Sequence, residues 1–234
     1  MSSVHETAYP RLKDEFTEQE LIAIYTPTPL ELKFVAARYR QVTLQTFLLI
    51  QLKLLQRLGY FIALATIPSE IVKHICSRAQ IRVPTKSALA KYDKSGTKHR
   101  HRAHLREFVG IHELTENDET WLQGQALQAA QTKQEVADII NVLIEELVQR
   151  RFELPSYTDL YRMSINARAT INERIYKSVA GQLPESVITR LDGMFKCASG
   201  RSQWDSLKRE PKQPNVREVT DFLSHINNMM VVSQ

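Results

Sequence analysis

Apolar residues recur along this chain at helical intervals, and the intervals are closed by recognisable caps. Leu44, Phe47, Leu48, Leu52 and Leu55 share one face of a segment running from about Val42 to Leu58, and Gly59 stands where a left-handed stop belongs. Upstream, Thr17 with Glu20 three residues later predicts a capping-box start for a helix to about Tyr25. Thr28, Pro29 and Glu31 repeat that signal, with proline at the first helical position. Pro68-Ser69 opens a further helix whose Ile71, Val72, Ile75 and Cys76 point inward. Pro84-Thr85 opens a short one, "KSALAKY", and "DKSG" makes a turn before a basic segment that resumes helical spacing.

The sequence after Gly110 turns acidic, and Trp121–Gln131 and Val136–Arg150 read as helices. Val136, Ile139, Ile140, Leu143 and Leu147 keep i, i+3, i+4, i+7 spacing. "ELP" stops that helix, and Ser156 is placed to cap a long one to about Val179. Pro184-Glu185 opens a helix through Leu191, a loop "KCASGRSQWDSLKREPKQP" follows, and Asn215 caps a last helix to about Met230. The expectation is an all-α fold of two helical subdomains with helix-turn-helix-like elements. The first covers residues 1–117, a connecting segment 118–134, and the second 135–234. A short helix, a tight turn and a basic helix, as in residues 85–109, is the order of a helix-turn-helix. "LIEELVQRRFELPSYTDLYRMSINAR" offers a second such pattern.

Composition agrees with that reading: of 234 residues only 7 are glycine, and 43% are hydrophobic, enough for an ordinary core. The most apolar run, residues 46–68, is interrupted by Gln51, Lys53, Gln56 and Arg57, which argues against a membrane span. Cys76 reads as a small buried apolar group, and Cys197 lies too far away to suggest a disulfide framework or zinc pattern. With no basic-then-apolar order in the first residues, a cytoplasmic protein is expected. No cofactor is expected either.

Charge changes the picture because of its placement. The net charge of +5 is modest. Yet "KYDKSGTKHRHRAHLREFVG" holds Lys91, Lys94, Lys98, Arg100, Arg102 and Arg106 against only Asp93 and Glu107. On a helical wheel advancing about 100° per residue, Leu105, Phe108 and Val109 cluster. Lys98, Arg102 and Arg106 form a basic stripe at one edge of that apolar face, with Arg100 and His104 toward the far side. Such a helix can rest in a groove between phosphate strands; it can equally be a solvated basic face. In the second pattern, Thr158, Arg162 and Asn166 after the Ser156 cap lie opposite the apolar Leu160, Met163, Ala167 and Ile171. Arginine and asparagine are the residue types that make two-pronged contacts to purine edges, though a wet helix face has the same look. His101 and His104 invite a metal, but no third ligand joins them at a recognised spacing, and His101 falls beside Leu105 and Phe108. No Gly-rich phosphate loop, HExxH or GxSxG is present, so no catalytic residues are assigned.

The stretch "SGTKHRHRAHLREFVGIHE" resembles one in the N-terminal region of Tn-three family transposases, carried here by His101, Arg102, Leu105, Arg106, Glu107 and Gly110. Ile111 and His112 depart from that family's usual aromatic-Arg pair. "YTPTPLEL" and "LLQRLGYF" resemble that family's opening, and "IEELVQRRFELPSYTDLYRM", "RLDGMF" and "WDSLKREPKQP" resemble the sections that follow, in order. The resemblance implies a non-catalytic module that binds the terminal inverted repeats of a transposon, its partner being double-stranded DNA and its parent protein a dimer. The DNA-binding candidates are Lys98, Arg100, His101, Arg102, Arg106, Ser156, Thr158, Arg162 and Asn166. A helical protein-interaction module and a metal-dependent nuclease using the histidines are the alternatives.

Overall fold

The computed structural model describes residues 4–196, 202 and 216–230. Among them the fold is all-α, as the helical spacing and scarce glycine imply. The helices are α1 (Glu18–Tyr25), α2 (Pro29–Arg38), α3 (Val42–Leu58), α4 (Ser69–Arg78), α5 (Lys86–Asp93) and α6 (Thr97–Val109), followed by α7 (Glu116–Ala130), α8 (Val136–Gln149), α9 (Tyr157–Ala180), α10 (Glu185–Phe195) and α11 (Val216–Met230). No strand occurs among the described residues; one isolated parallel bridge joins His112 and Phe152. The expected loop over residues 196–214 and the Asn215 cap lie almost wholly outside the described residues, as does Cys197.

Chain contacts divide the molecule into Met1–Ile171 and Asn172–Gln234, the division falling inside α9. The first unit holds two apolar clusters. In the first, α3 is hydrophobic nearly all round and is enclosed, with Phe47, Leu48, Leu52 and Leu55 against Tyr25, Val35, Ile71, Ile75, Leu89 and Leu105. A buried ion pair enters this core. Glu31 on α2 is 4% exposed and Lys53 on α3 is 6% exposed, and the Lys53 Nζ donates to both Glu31 oxygens at 3.2 and 3.3 Å. Burial alone would raise the Glu31 carboxyl; the Thr28 N–H (2.7 Å), the Gln56 amide (2.8 Å) and Lys53 outweigh it and hold it below its ordinary range.

The second cluster is built by α7, α8 and the first half of α9, from Leu122, Ala126, Ile140, Leu143, Leu147, Leu160, Ala167 and Ile171. Residues 118–134, expected as a connection, contain most of α7, whose Leu122, Ala126 and Ala130 are buried here. The N-terminal segment straps this cluster: the Tyr9 hydroxyl donates to the Pro155 carbonyl at 2.9 Å, and the Ala8 N–H donates to Asn141 Oδ1 at 2.7 Å. In the second unit, α10 buries no side chain, and α11 leaves Val216, Val219, Phe222 and Leu223 exposed.

Local chemistry sets the boundaries. The Thr17–Glu20 and Thr28–Glu31 capping boxes are both closed, and a third is formed by Thr115 and Asp118. Gly59 ends α3 at φ 76°, where a Cβ would meet Leu154 Cδ1 at 3.3 Å. Arg151, at φ 58°, ends α8 in the same left-handed region without being glycine.

Candidate nucleic-acid interface

The turn between α5 and α6 is made by Lys94, Ser95 and Gly96, and it is held at both sides. Ser95 donates to the Tyr92 carbonyl through its backbone N–H (2.9 Å) and its hydroxyl (2.7 Å). Asp93 accepts from the Leu64 and Ala65 N–H groups, both at 2.9 Å, which ties the end of α5 to the turn after α3. The basic segment therefore begins from a fixed point.

The expected stripe on α6 is largely occupied with its own protein. Lys98 Nζ donates to the Asp93 carbonyl at 2.8 Å. The Arg102 guanidinium sits 4.9 Å over the Phe61 ring, and its Nε is enclosed without a partner. Arg106 is the most committed: its Nε meets Glu153 at 2.7 Å, its Nη1 meets Glu113 at 2.8 Å, and its guanidinium lies 5.5 Å from the Phe61 centroid. His101 is fully buried, with Nδ1 2.9 Å from the Tyr92 hydroxyl and its ring 4.7 Å from that of Tyr39. Burial, helped by His104 and Arg100, pushes its imidazole down to about 4. This placement takes His101 off the surface.

The exposed face of α6 carries His99, Arg100, Ala103 and Glu107. Glu107 is paired with Arg38 of α2 at 3.0 Å. Arg100 reaches only the Thr97 hydroxyl, at 3.5 Å. Lys86, Lys91 and Lys94 on α5 and its turn are exposed, and among the described residues none of these three nor Arg100 has a carboxylate partner. Helix α6 also has no acidic residue in its first turn. Lys91, Lys94 and Arg100 thus stand unneutralised close in sequence to the start of α6, a setting that favours anions. Arg100 alone of the α6 candidates belongs to this set. Lys91 and Lys94 belong to the same basic segment as Arg106, and the local pattern does not distinguish them, because the carboxylate that neutralises Arg106, Glu153, lies 47 residues away.

The second element is arranged differently. Ser156 caps α9: its oxygen accepts the Asp159 N–H at 3.2 Å, and its hydroxyl donates to Asp159 Oδ2 at 2.6 Å. Thr158, Arg162 and Asn166 are all exposed. Arg162 pairs with Asp159 at 2.9 Å, but at 72% and 51% side-chain exposure that contact contributes little and is readily exchanged. Arg162, Asn166 and Thr170 form one wall of a groove of about 460 Å³ facing Glu119 and Gln123 of α7, with Leu122, Leu127 and Met163 toward its floor.

Among the described residues, no group of three or more His, Cys, Asp or Glu side chains is placed to hold a metal ion. No described helix is long and apolar enough to cross a membrane. Cys76 is buried, and burial raises its thiol to about 11.

Two comparisons bear on this surface. Residues 1–167 match the family described as "Domain of unknown function (DUF4158)". The chain is also similar to the transposase for transposon Tn501 of Pseudomonas aeruginosa, 24% identical over an alignment of 222 residues that covers 92% of this chain. The chain spans 22% of the length of that transposase.

Proposed function

The chain belongs to the DUF4158 family, and from that premise we propose that it is a sequence-specific DNA-binding module of a transposase, recognising the terminal inverted repeats of its transposon. The observation that carries the reading is the unneutralised set of Lys91, Lys94 and Arg100 around the α5–α6 turn. A duplex presents phosphates at close intervals, and cations already paired with carboxylates gain little by meeting them. Cations without partners gain most, so Lys91, Lys94 and Arg100 anchor the backbone. Ala103, one turn beyond His99 and Arg100, is small enough to let the α6 backbone approach closely.

Sequence is read chiefly by α9. Its first two turns carry Thr158 and Arg162, followed by Asn166, and the N-terminal part of the second helix is where a helix-turn-helix meets base edges. Arg162 exchanges its exposed Asp159 contact for a guanine edge, and Asn166 suits adenine. The chemistry is non-covalent and takes place in the cytoplasm, where the DNA is.

The test replaces Lys91, Lys94 and Arg100 with Ala, singly and together, and measures affinity for repeat and scrambled duplexes across a salt series. Each lost phosphate contact should lower the log–log salt slope by about 0.9 and weaken both duplexes alike. A triple variant with the parent's affinity and slope would refute the reading. A second reading, protein interaction through residues 172–234, is favoured by the exposed Val216, Val219, Phe222 and Leu223 of α11. Light scattering over a concentration series tests self-association there, and a constant monomer mass would exclude it.

A further inference from the structure

Between α6 and α9 the chain is clasped at several points in a short space. Helix α6 ends at Gly110, and two residues later the His112 N–H donates to the Arg151 carbonyl at 2.8 Å. In return the Glu153 N–H donates to the His112 carbonyl at 2.8 Å. The next residue, Leu154, is 4% exposed and donates its N–H to the Gly59 carbonyl at 2.9 Å, closing on the end of α3. The Glu153 side chain meets Arg106 of α6 at 2.7 Å, each side chain 17% exposed. Helix α9 starts at Tyr157, three residues after Leu154. The stubs joining each helix to the clasp are two or three residues long, which limits how far either helix can travel and leaves its angle to the side chains that tie it.

Resting on the DNA-binding reading above, we infer that Arg106 and Glu153 are positioning residues that lock α6 and α9 into a ruler, so that the DNA must present its two contacted stretches at one separation and one helical phase. Two readers joined by a flexible segment would bind with an effective concentration that falls only gradually as the sites move apart. Two readers held by a paired backbone and a largely buried ion pair have no such tolerance. A shift of five base pairs carries one stretch to the opposite side of the duplex, since a turn takes about 10–10.5 base pairs. Arg106 and Glu153 touch no DNA in this scheme. They set which spacings are accepted, and the unpaired cations and the α9 polar face set which surface is gripped.

The experiment selects a duplex from a random pool with the full chain, footprints it, and inserts 1, 2, 5 or 10 base pairs between the protected stretches. The expected footprint has two stretches, and insertion of 5 base pairs should lower affinity at least about tenfold, with no recovery at 10 base pairs. The double variant Glu113→Gln/Glu153→Gln should keep affinity for the parent duplex within about threefold, while the loss from a 1- or 2-base-pair insertion shrinks to under about threefold. Glu153→Asp, which keeps the charge, should restore part of the parent's selectivity. Simple loss of stability would lower affinity for every duplex together and leave the spacing ratios unchanged. The parent's insertion series needs no variant. A single protected stretch, or tolerance of the 5-base-pair insertion within about threefold, overturns the ruler. Spacing ratios unchanged in a folded double variant overturn the role of the ion pair. Failure to enrich any duplex overturns the DNA-binding reading itself, and the ruler with it.

Discussion

Replacing Arg106 with Ala separates cations held by the fold from those proposed to contact DNA. The lost group makes a 2.7 Å contact with Glu153, whose side chain is 17% exposed, and a 2.8 Å contact with Glu113, which is 69% exposed. The Glu113 contact is worth at most about 1 kcal/mol. Stranding a fully buried carboxylate destabilises by about 3–5 kcal/mol, and the partial exposure of Glu153 brings its share down to about 2–3 kcal/mol, the range of a hydrogen bond to a charged group. Loss of the guanidinium over Phe61 adds about 0.5–1 kcal/mol. The total is about 2.5–5 kcal/mol. With a urea dependence of about 2 kcal/mol per molar, the unfolding midpoint should fall by about 1.3–2.5 M. Arg100→Ala, at an exposed site, should stay within about 0.5 kcal/mol of the parent. An Arg106→Ala protein with the parent's midpoint and a salt slope lowered by about 0.9 would mean that Arg106 holds a phosphate, and the assignment would be reversed.

The remaining predictions test single features. Because His101 titrates near 4 in the fold and near 6.5 when unfolded, its contribution is complete above pH 6.5 and is lost as pH falls toward 4; His101→Gln should flatten the stability–pH curve in that window by up to about 1.4 kcal/mol per pH unit. Parallel curves for variant and parent would refute this. Gly59→Ala places a Cβ at φ 76° against Leu154 and should destabilise by about 1–3 kcal/mol, whereas Arg151→Gly relieves a φ of 58° and should stabilise by about 1 kcal/mol, both read from urea midpoints. Arg162→Ala and Asn166→Ala should lower the ratio of repeat to random DNA affinity by about 1–3 kcal/mol per lost base contact; an unchanged ratio in both folded variants would move base reading off α9.

Local signals made most of the fold legible. Thr17 and Glu20, Thr28 and Glu31, and Gly59 act within a few residues of themselves, so α1, α2 and α3 begin and end where those residues place them. The apolar spacing places the start of α7 at Trp121, five residues late, because Thr115 is boxed by Asp118 in place of the usual Glu or Gln. The interface was less legible for a different reason. A helical wheel shows which α6 side chains share a face, but not what covers each face. Phe34 of α2 stacks on Phe108 at 4.1 Å, and Phe61 lies under Arg102 and Arg106. Glu153 arrives from another helix pair altogether. Neutralisation of a cation by a distant carboxylate leaves no mark in the local pattern, so Arg106 looked as available as Arg100.

The Glu31–Lys53 pair beneath α2 and α3 restricts how this sequence can drift. A change at either position alone strands a charge at a site less than a tenth exposed, a loss of about 3–5 kcal/mol that removes a large share of the about 5–15 kcal/mol of an ordinary domain. Replacing both with well-fitted apolar residues can be neutral, but that state is reached only through one of the two damaged intermediates. The positions are therefore expected to persist together or change together along any lineage, and Gln56, which shares the Glu31 carboxylate, to move with them.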